Sequence, residues 1–170
     1  MLKKAALSGQ YLDLWKRTLS TLPKLEFIEV SGDYRQHVCN VKLNRPDRRN
    51  ALNLAFWKEI RTVFEHLAAN SKCRAIILSG AGKSFCAGID LQDGLGELSA
   101  IVQSATLDVG RKSLKLREMI ATCQDGFTAL ERCPKPVIAS VHGHCFGAGV
   151  SLVACADIRY ATSDAVFSIK

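Results

Sequence analysis

Apolar residues recur along the chain in two alternating patterns, short β-branched runs and longer stretches of helical period, and this alternation predicts a strand–helix protein. Phe27 to Val30 and Val38 to Leu43 flank the polar triplet Ser31-Gly32-Asp33, which reads as the turn of a β-hairpin, and Asn44-Arg45-Pro46 ends the second run. Phe56, Trp57, Ile60, Val63, Phe64, Leu67 and Ala68 then keep a period of 3.6, predicting a helix with one face on the sheet. Asn53 is placed to cap it, and Arg61 and Glu65 to pair on its outer face. Arg74 to Ser79 reads as the next strand, and the Gly-bearing segment from Asp93 to Gly110 as a partly helical surface excursion. Leu116, Met119, Ile120, Cys123, Phe127 and Leu130 mark an amphipathic helix that Pro134 stops. Val137 to Val141 is a further strand, VSLVACA a helix, and Ile158 to Ala161 and Ala165 to Ile169 two last strands.

Two of these strands run through small residues into turns, Ala87-Gly88-Ile89-Asp90 and Gly147-Ala148-Gly149. Each turn leaves backbone N–H groups free, the second at a helix N-terminus, so together they suggest one shared anion site. Asp90, Asp157 and Asp164 read as turn caps, and Asp90 alternatively as the residue that holds its turn rigid. The stretch Ser79 to Ser84 imitates a phosphate-binding loop, but the first glycine of that motif falls at Ile77 and Gly88 interrupts the helix that should follow. Gly143, Gly147 and Gly149 lack dinucleotide-binding spacing. His142 and His144 alternate along an extended segment, point to opposite sides, and are expected to be turn or core residues rather than metal ligands.

Composition narrows the class. With 170 residues, 48% hydrophobic and 23% charged, the chain is long enough for one core, and no apolar run approaches a membrane-spanning length. The seven cysteines contain no C-x-x-C, which favours a reducing or organellar-matrix setting over a disulfide framework. The net charge of +7 is partly concentrated near the N-terminus, where Lys3, Lys4, Lys16 and Arg17 face only Asp13 among interspersed leucines. Residues 1–23 therefore read either as a mitochondrial targeting segment or as an amphipathic helix. Aromatic residues do not interleave with Lys and Arg, so no nucleic-acid stacking platform is expected. Arg45, Arg48 and Arg49 flank a rigid Pro-containing turn and suit bidentate contact with phosphate oxygens.

Four blocks in this order, LNRPDRRNALN, GAGKSFCAGIDL, ERCPKPVIASVHGHCFGAGVSL and ACADIRYATSDAVFSIK, resemble the enoyl-CoA hydratase/isomerase (crotonase) superfamily, and most of all its dienoyl-CoA isomerase branch. The resemblance implies an α/β fold, a spiral of β-β-α units, with residues 24–170 forming a crotonase-like domain that lacks its C-terminal portion. It implies a fatty acyl-CoA substrate, with coenzyme A as part of that substrate and no further cofactor or metal, and a homotrimer or homohexamer at full length. It places the chemistry in fatty acid β-oxidation, in the mitochondrial matrix or alternatively the peroxisome. It also gives the two turns a common role, in which the N–H groups of Ile89 and Ala148 form an oxyanion hole for the thioester oxygen. Ala87, Gly88, Asp90, Leu91, Gly147 and Gly149 would then surround the substrate, with Arg48 or Arg49 near phosphate.

One departure bears on activity. The isomerase branch carries an aspartate three positions beyond the second donor, where this chain has Ser151, and a hydroxyl cannot exchange protons as a carboxylate does near neutral pH. The branch's other two acids would fall just past Lys170 and some eight positions on. The expectation is therefore an acyl-CoA isomerase seen without its proton-shuttling carboxylates, or else a non-catalytic acyl-CoA binder or oligomerisation partner. An enoyl-CoA hydratase or an RNA-binding relative fits less well.

Overall fold

The computed structural model describes residues 22–33 and 37–169. The segment read as a targeting sequence lies, apart from Leu22 and Pro23, outside the described residues.

Strands β1 (Ile28–Asp33) and β2 (Val38–Leu43) pair antiparallel. Helix α1 (Leu54–Ala69) crosses over to β3 (Ala75–Gly80), which lies parallel to β2. Helices α2 (Asp93–Gln103) and α3 (Val109–Glu131) lead to β4 (Val137–Val141), parallel to β3. The short strand β5 (His144–Phe146) and helix α4 (Ala148–Ala154) precede β6 (Ile158–Ala161), which joins β4, and β7 (Val166–Ser168), which pairs with β5. The result is a five-stranded sheet in the order β1-β2-β3-β4-β6 and a two-stranded sheet β5-β7. Parallel neighbours need a crossover, and each crossover within the larger sheet carries a helix. The strand-strand-helix rhythm is that of β-β-α units.

Ser31, Gly32 and Asp33 are not the hairpin turn the sequence suggests. They extend β1 and pair with Asn40, Cys39 and Val38. β2 lies between two neighbours, so its first residues need ladder partners on both sides, and β1 supplies one set. His37, at a φ of 57°, bends the chain into β2.

Alternation along the central strands sets the core. Cys39, Val41 and Leu43 of β2 are buried, as are Ile76 and Leu78 of β3 and Val137, Ala139 and Val141 of β4. Against them α1 buries Phe56, Trp57, Ile60, Val63, Phe64 and Leu67, a stripe of the predicted period. Each such side chain contributes roughly 1.5–3 kcal/mol of burial. Asn53 Oδ1 accepts from the Phe56 N–H at 2.9 Å, the predicted cap, and Arg61 pairs with Glu65 at 2.8 Å. The second face of α1 packs on α3, with Trp57 edge-on to Phe127 at 4.6 Å between centroids. Gly126 allows this approach, since a Cβ there would lie 3.0 Å from the Trp57 ring.

Candidate active site

The chain leaving β3 and the chain leaving β4 run side by side, and this juxtaposition builds the site. Phe85 N–H donates to His142 O at 2.9 Å, Cys86 N–H to His144 O at 3.1 Å, and Phe146 N–H to Cys86 O at 2.9 Å. Cys86 and Cys145 thereby form a parallel bridge. Ile89 and Ala148 each lie three positions beyond their bridged cysteine, so the bridge brings the two turns level.

Glycine makes the approach possible. Gly88 has a φ of +93°, and a Cβ on it would stand 3.1 Å from Phe146 O and 3.7 Å from Ala148 N. A Cβ on Gly149 would meet Cys86 Cβ at 2.8 Å and Cys86 O at 3.0 Å. Among the described residues, the N–H groups of Ile89 and Ala148 have no hydrogen-bond acceptor, whereas the neighbouring Asp90 and Gly147 N–H groups donate to Leu52 O and Ser168 O. The two turns line one cleft of about 650 Å³ with Ala87, Leu91, Phe146 and Ser168. An oxygen carrying developing negative charge is what two unpaired N–H groups in one such cleft can hold.

The first turn is braced by side chains. Arg45, 12% exposed, reaches Asp90 at 2.5 Å and Asp93 at 3.0 Å. It also donates to Ala51 O and stands over the Phe27 ring. Asp90 Oδ1 accepts the N–H groups of Gln92 and Asp93 at 2.8 and 3.1 Å, which starts α2. Burial opposes ionisation of Asp90, but the Asp93 N–H, the Arg45 guanidinium and the Gln92 N–H outweigh it and hold the carboxyl below its ordinary value. Asp90 thus caps the start of α2 through two N–H groups and ties its turn to Arg45, contacts that fit both roles read for it.

Asn50, which no sequence motif singles out, is the centre of the same bracing. It is fully buried at a φ of 56°, and its Nδ2 reaches Ala81 O, Ser84 O and Phe85 O at 2.9, 2.9 and 3.1 Å while Oδ1 accepts from Arg45 N–H. An Asn just before an apolar run, in a loop already crowded with arginines, is its only signal, since Asn tolerates the left-handed region. The Cys86 thiol, pushed up to about 12 by burial, stays protonated and donates to Asn50 O while its sulfur accepts the Gly88 N–H.

The remaining site candidates scatter. Arg45 is committed to carboxylates rather than to phosphate. Arg48 donates to Gln92 Oε1 at 2.5 Å, and Arg49 accepts the Ala87 N–H on its carbonyl at 2.9 Å, so both stand beside the first turn. Ser151 is exposed on α4 and does not line the cleft. His142 bonds Gly82 O at 2.9 Å, and His144 lies 3.3 Å from Ser84 Oγ. Asp157 caps β4 through the Val137 N–H at 2.8 Å. Among the described residues no three His, Cys, Asp or Glu side chains are grouped to hold a metal, and no helix is long and apolar enough to cross a membrane.

A second cavity, of about 300 Å³, opens on the other side of Ile89, among Leu52, Leu54, Trp57, Leu98, Met119 and Ile120. Its apolar walls come from α1, α2 and α3, and Gly94 leaves room beside Ile89, whose Cγ2 would stand 3.1 Å from a Cβ there. The cleft that holds the two N–H groups thus adjoins an apolar chamber, with Ile89 belonging to both.

Known proteins are similar to this chain in sequence and in fold. A mouse protein named Delta(3,5)-Delta(2,4)-dienoyl-CoA isomerase, mitochondrial, is 50% identical over 145 residues, covering 85% of this chain and 43% of its own length. An Arabidopsis thaliana counterpart named as peroxisomal is 44% identical over 153 residues, covering 90% of this chain and 54% of its own. Among solved structures, the enoyl-CoA hydratase of Mycobacterium smegmatis superposes with a TM-score of 0.69 at 34% identity, covering 85% of this chain and 51% of that one. An enoyl-CoA hydratase/carnithine racemase of Magnetospirillum magneticum gives 0.70 at 29%, covering 86% and 50%. The chain therefore spans about half the length of the relatives it matches. The family model described as Enoyl-CoA hydratase/isomerase matches residues 33–170, and the chain belongs to that family.

Proposed function

We propose that the cleft binds the thioester of a fatty acyl-CoA and that the full-length protein migrates double bonds in dienoyl-CoA during fatty acid β-oxidation. The observation that carries this reading is the pair of unpaired N–H groups of Ile89 and Ala148 in one cleft. The thioester oxygen accepts both. When a proton leaves the acyl chain, the negative charge moves onto that oxygen as the enolate forms, and each N–H donor lowers the barrier by about 3–4 kcal/mol. The acyl chain enters the apolar chamber beyond Ile89, and the coenzyme A end lies along Ala87 to Leu91 with Arg48 or Arg49 near a phosphate. The names of the mouse and Arabidopsis relatives support a mitochondrial, alternatively peroxisomal, setting and the isomerase reaction. A homotrimer or homohexamer is the assembly that the family resemblance suggests.

A second reading has its own support: no carboxylate lines the cleft among the described residues. The 170-residue chain then binds acyl-CoA without turning it over. Titration with octanoyl-CoA, followed through the amide resonances of Ile89 and Ala148, tests both readings together with an absorbance assay on a 3,5-dienoyl-CoA. Saturable binding that moves both amides downfield supports the oxyanion hole, and conversion separates enzyme from binder. Binding that leaves both amides unmoved, or no binding at millimolar ligand, overturns the proposal.

A further inference from the structure

The chamber beyond Ile89 encloses about 300 Å³ between α1, α2 and α3, and Leu52, Trp57, Leu98, Met119 and Ile120 supply much of its wall. Walls of this kind favour hydrocarbon over any group that needs a hydrogen bond. Ile89 ties the chamber to the cleft, because the residue that carries one of the two unpaired N–H groups also lines both spaces. A chain whose carbonyl oxygen rests on those N–H groups therefore reaches the chamber within a residue's width.

Gly94 governs how much of that space is open. It is buried as the second residue of α2, its N–H donates to Asp90 O at 2.9 Å, and it lines the chamber. A Cβ there would stand 3.1 Å from Ile89 Cγ2 and 4.0 Å from Leu52 O. The backbone does not ask for glycine at this position: the described glycines with positive φ are Gly82, Gly88, Gly143 and Gly147, and alanine would favour the helix. What the missing side chain provides is room beside Ile89. Gly96, in the same helix, is exposed, does not line the chamber and has nothing within 4 Å of a built Cβ.

We infer that the chamber is an acyl pocket of medium length, with Gly94 as the residue whose bare backbone sets the longest chain it takes. An apolar cavity of about 150 Å³ takes up the six carbons of benzene, so at the same ratio a chamber of about 300 Å³ holds about twelve carbons. The inference rests on the proposed seating of the thioester at Ile89 and Ala148 and adds to it the length of the chain. Each methylene that enters the chamber leaves water and tightens binding about threefold, until the chamber is full. Further carbons stay in solvent and add nothing.

The test titrates the 170-residue chain by calorimetry with saturated acyl-CoAs from butanoyl to hexadecanoyl, each below its micelle concentration, while the amide resonances of Ile89 and Ala148 are followed. Affinity is expected to rise about threefold per methylene through decanoyl-CoA and to level off beyond about twelve carbons. In Gly94→Leu the added side chain occupies part of the pocket, so the ratio of decanoyl-CoA to butanoyl-CoA affinity should fall about fiftyfold and the plateau should begin about four carbons earlier, whereas Gly96→Leu should keep the wild-type ratio. A ratio reports the pocket, since a variant that merely loosened α2 would lose affinity for every chain alike. The wild-type series decides even where a variant folds poorly. Affinity independent of chain length, or still rising at hexadecanoyl-CoA, while both amides move downfield, overturns the pocket and leaves the oxyanion hole standing. An unchanged ratio in Gly94→Leu overturns the role of Gly94. Binding that moves neither amide, or no binding at all, overturns the oxyanion hole and the pocket with it.

Discussion

The two turns that face each other across the cleft are held by different means. The first, Ala87 to Asp90, is braced from a block some forty residues upstream by two side chains, Arg45 on Asp90 and Asn50 on the carbonyls of Ala81, Ser84 and Phe85, and by the backbone Arg49 O on the Ala87 N–H. Among the described residues, no side-chain hydrogen bond or ion pair braces the second, Gly147 to Gly149. It is set by the Gly147 φ of 49°, by the Gly147 N–H on Ser168 O at 2.8 Å, and by the close fit of Gly149 on Cys86. One donor is therefore positioned by electrostatics and the other by the absence of side chains. Substitutions should separate the two mechanisms.

The largest effect is expected on the braced side. Arg45→Ala leaves the Asp90 carboxylate, 5% exposed, without its cation and should cost about 3–5 kcal/mol in urea unfolding at neutral pH. It should also weaken acyl-CoA binding by about tenfold, the equivalent of one hydrogen bond worth about 1.4 kcal/mol. The pH dependence has a definite sign. The folded-state Asp90 carboxyl is depressed below its ordinary 3.8, so its stabilisation is fully present above that value and is lost as pH falls through the folded value. Arg45→Ala removes part of the depression, so the stability gap between wild type and variant should narrow as pH drops below 3.8. A gap independent of pH would show that Arg45 acts through packing on Phe27 and not through Asp90.

The same contrast explains what was legible beforehand. The core was readable, because the stripe from Phe56 to Leu67 and the strand alternation report burial directly. The unbraced turn was readable too, since its geometry is written in its own glycines. The brace was not. Arg45 and Asp90 are far apart in sequence, and three arginines around a proline look the same whether they serve phosphate or carboxylate. Only the crossover through α1 brings the blocks together. The hairpin turn misled for a related reason: Ser31-Gly32-Asp33 has turn composition, but the ladder with β2 overrides that local preference.

On the unbraced side, Gly149→Ala should cost about 1–3 kcal/mol by overpacking, since its Cβ would lie 2.8 Å from Cys86 Cβ and 3.0 Å from a backbone oxygen that has little room to yield. Because the displaced segment leads directly to Ile89, the variant should lose acyl-CoA affinity by calorimetry as well. Gly96, in α2 with nothing within 4 Å of a built Cβ, gives the control. Gly96→Ala should stabilise the chain by roughly 0.5–1 kcal/mol and leave affinity unchanged. A gain in Gly149→Ala like that in Gly96→Ala would mean that helix propensity, not the close approach to Cys86, governs the second turn.

The smallest structural effect, with the sharpest chemical readout, belongs to Ser151→Asp. Ser151 lies three residues after Ala148 in α4, on the same helix face, and its side chain is exposed. A carboxylate in the first turn of a helix is tolerated by the helix dipole, so thermal unfolding should shift by less than about 0.5 kcal/mol. Affinity for acyl-CoA should stay within about twofold, because no contact to the cleft is removed. Ser151 does not line the cleft, so the added carboxylate is not placed as a base beside the two N–H groups, and the roughly 10²–10⁴-fold that a positioned base contributes to proton transfer should be missing. Incorporation of deuterium into bound acyl-CoA, followed by mass spectrometry in heavy water, should therefore stay at background in Ser151→Asp as in wild type. Isomerisation should likewise remain at background in both. Exchange that appears in Ser151→Asp alone would place the added carboxylate beside the bound thioester, against the exposed position that α4 gives it, and would show that the Ile89 and Ala148 N–H groups stabilise an enolate.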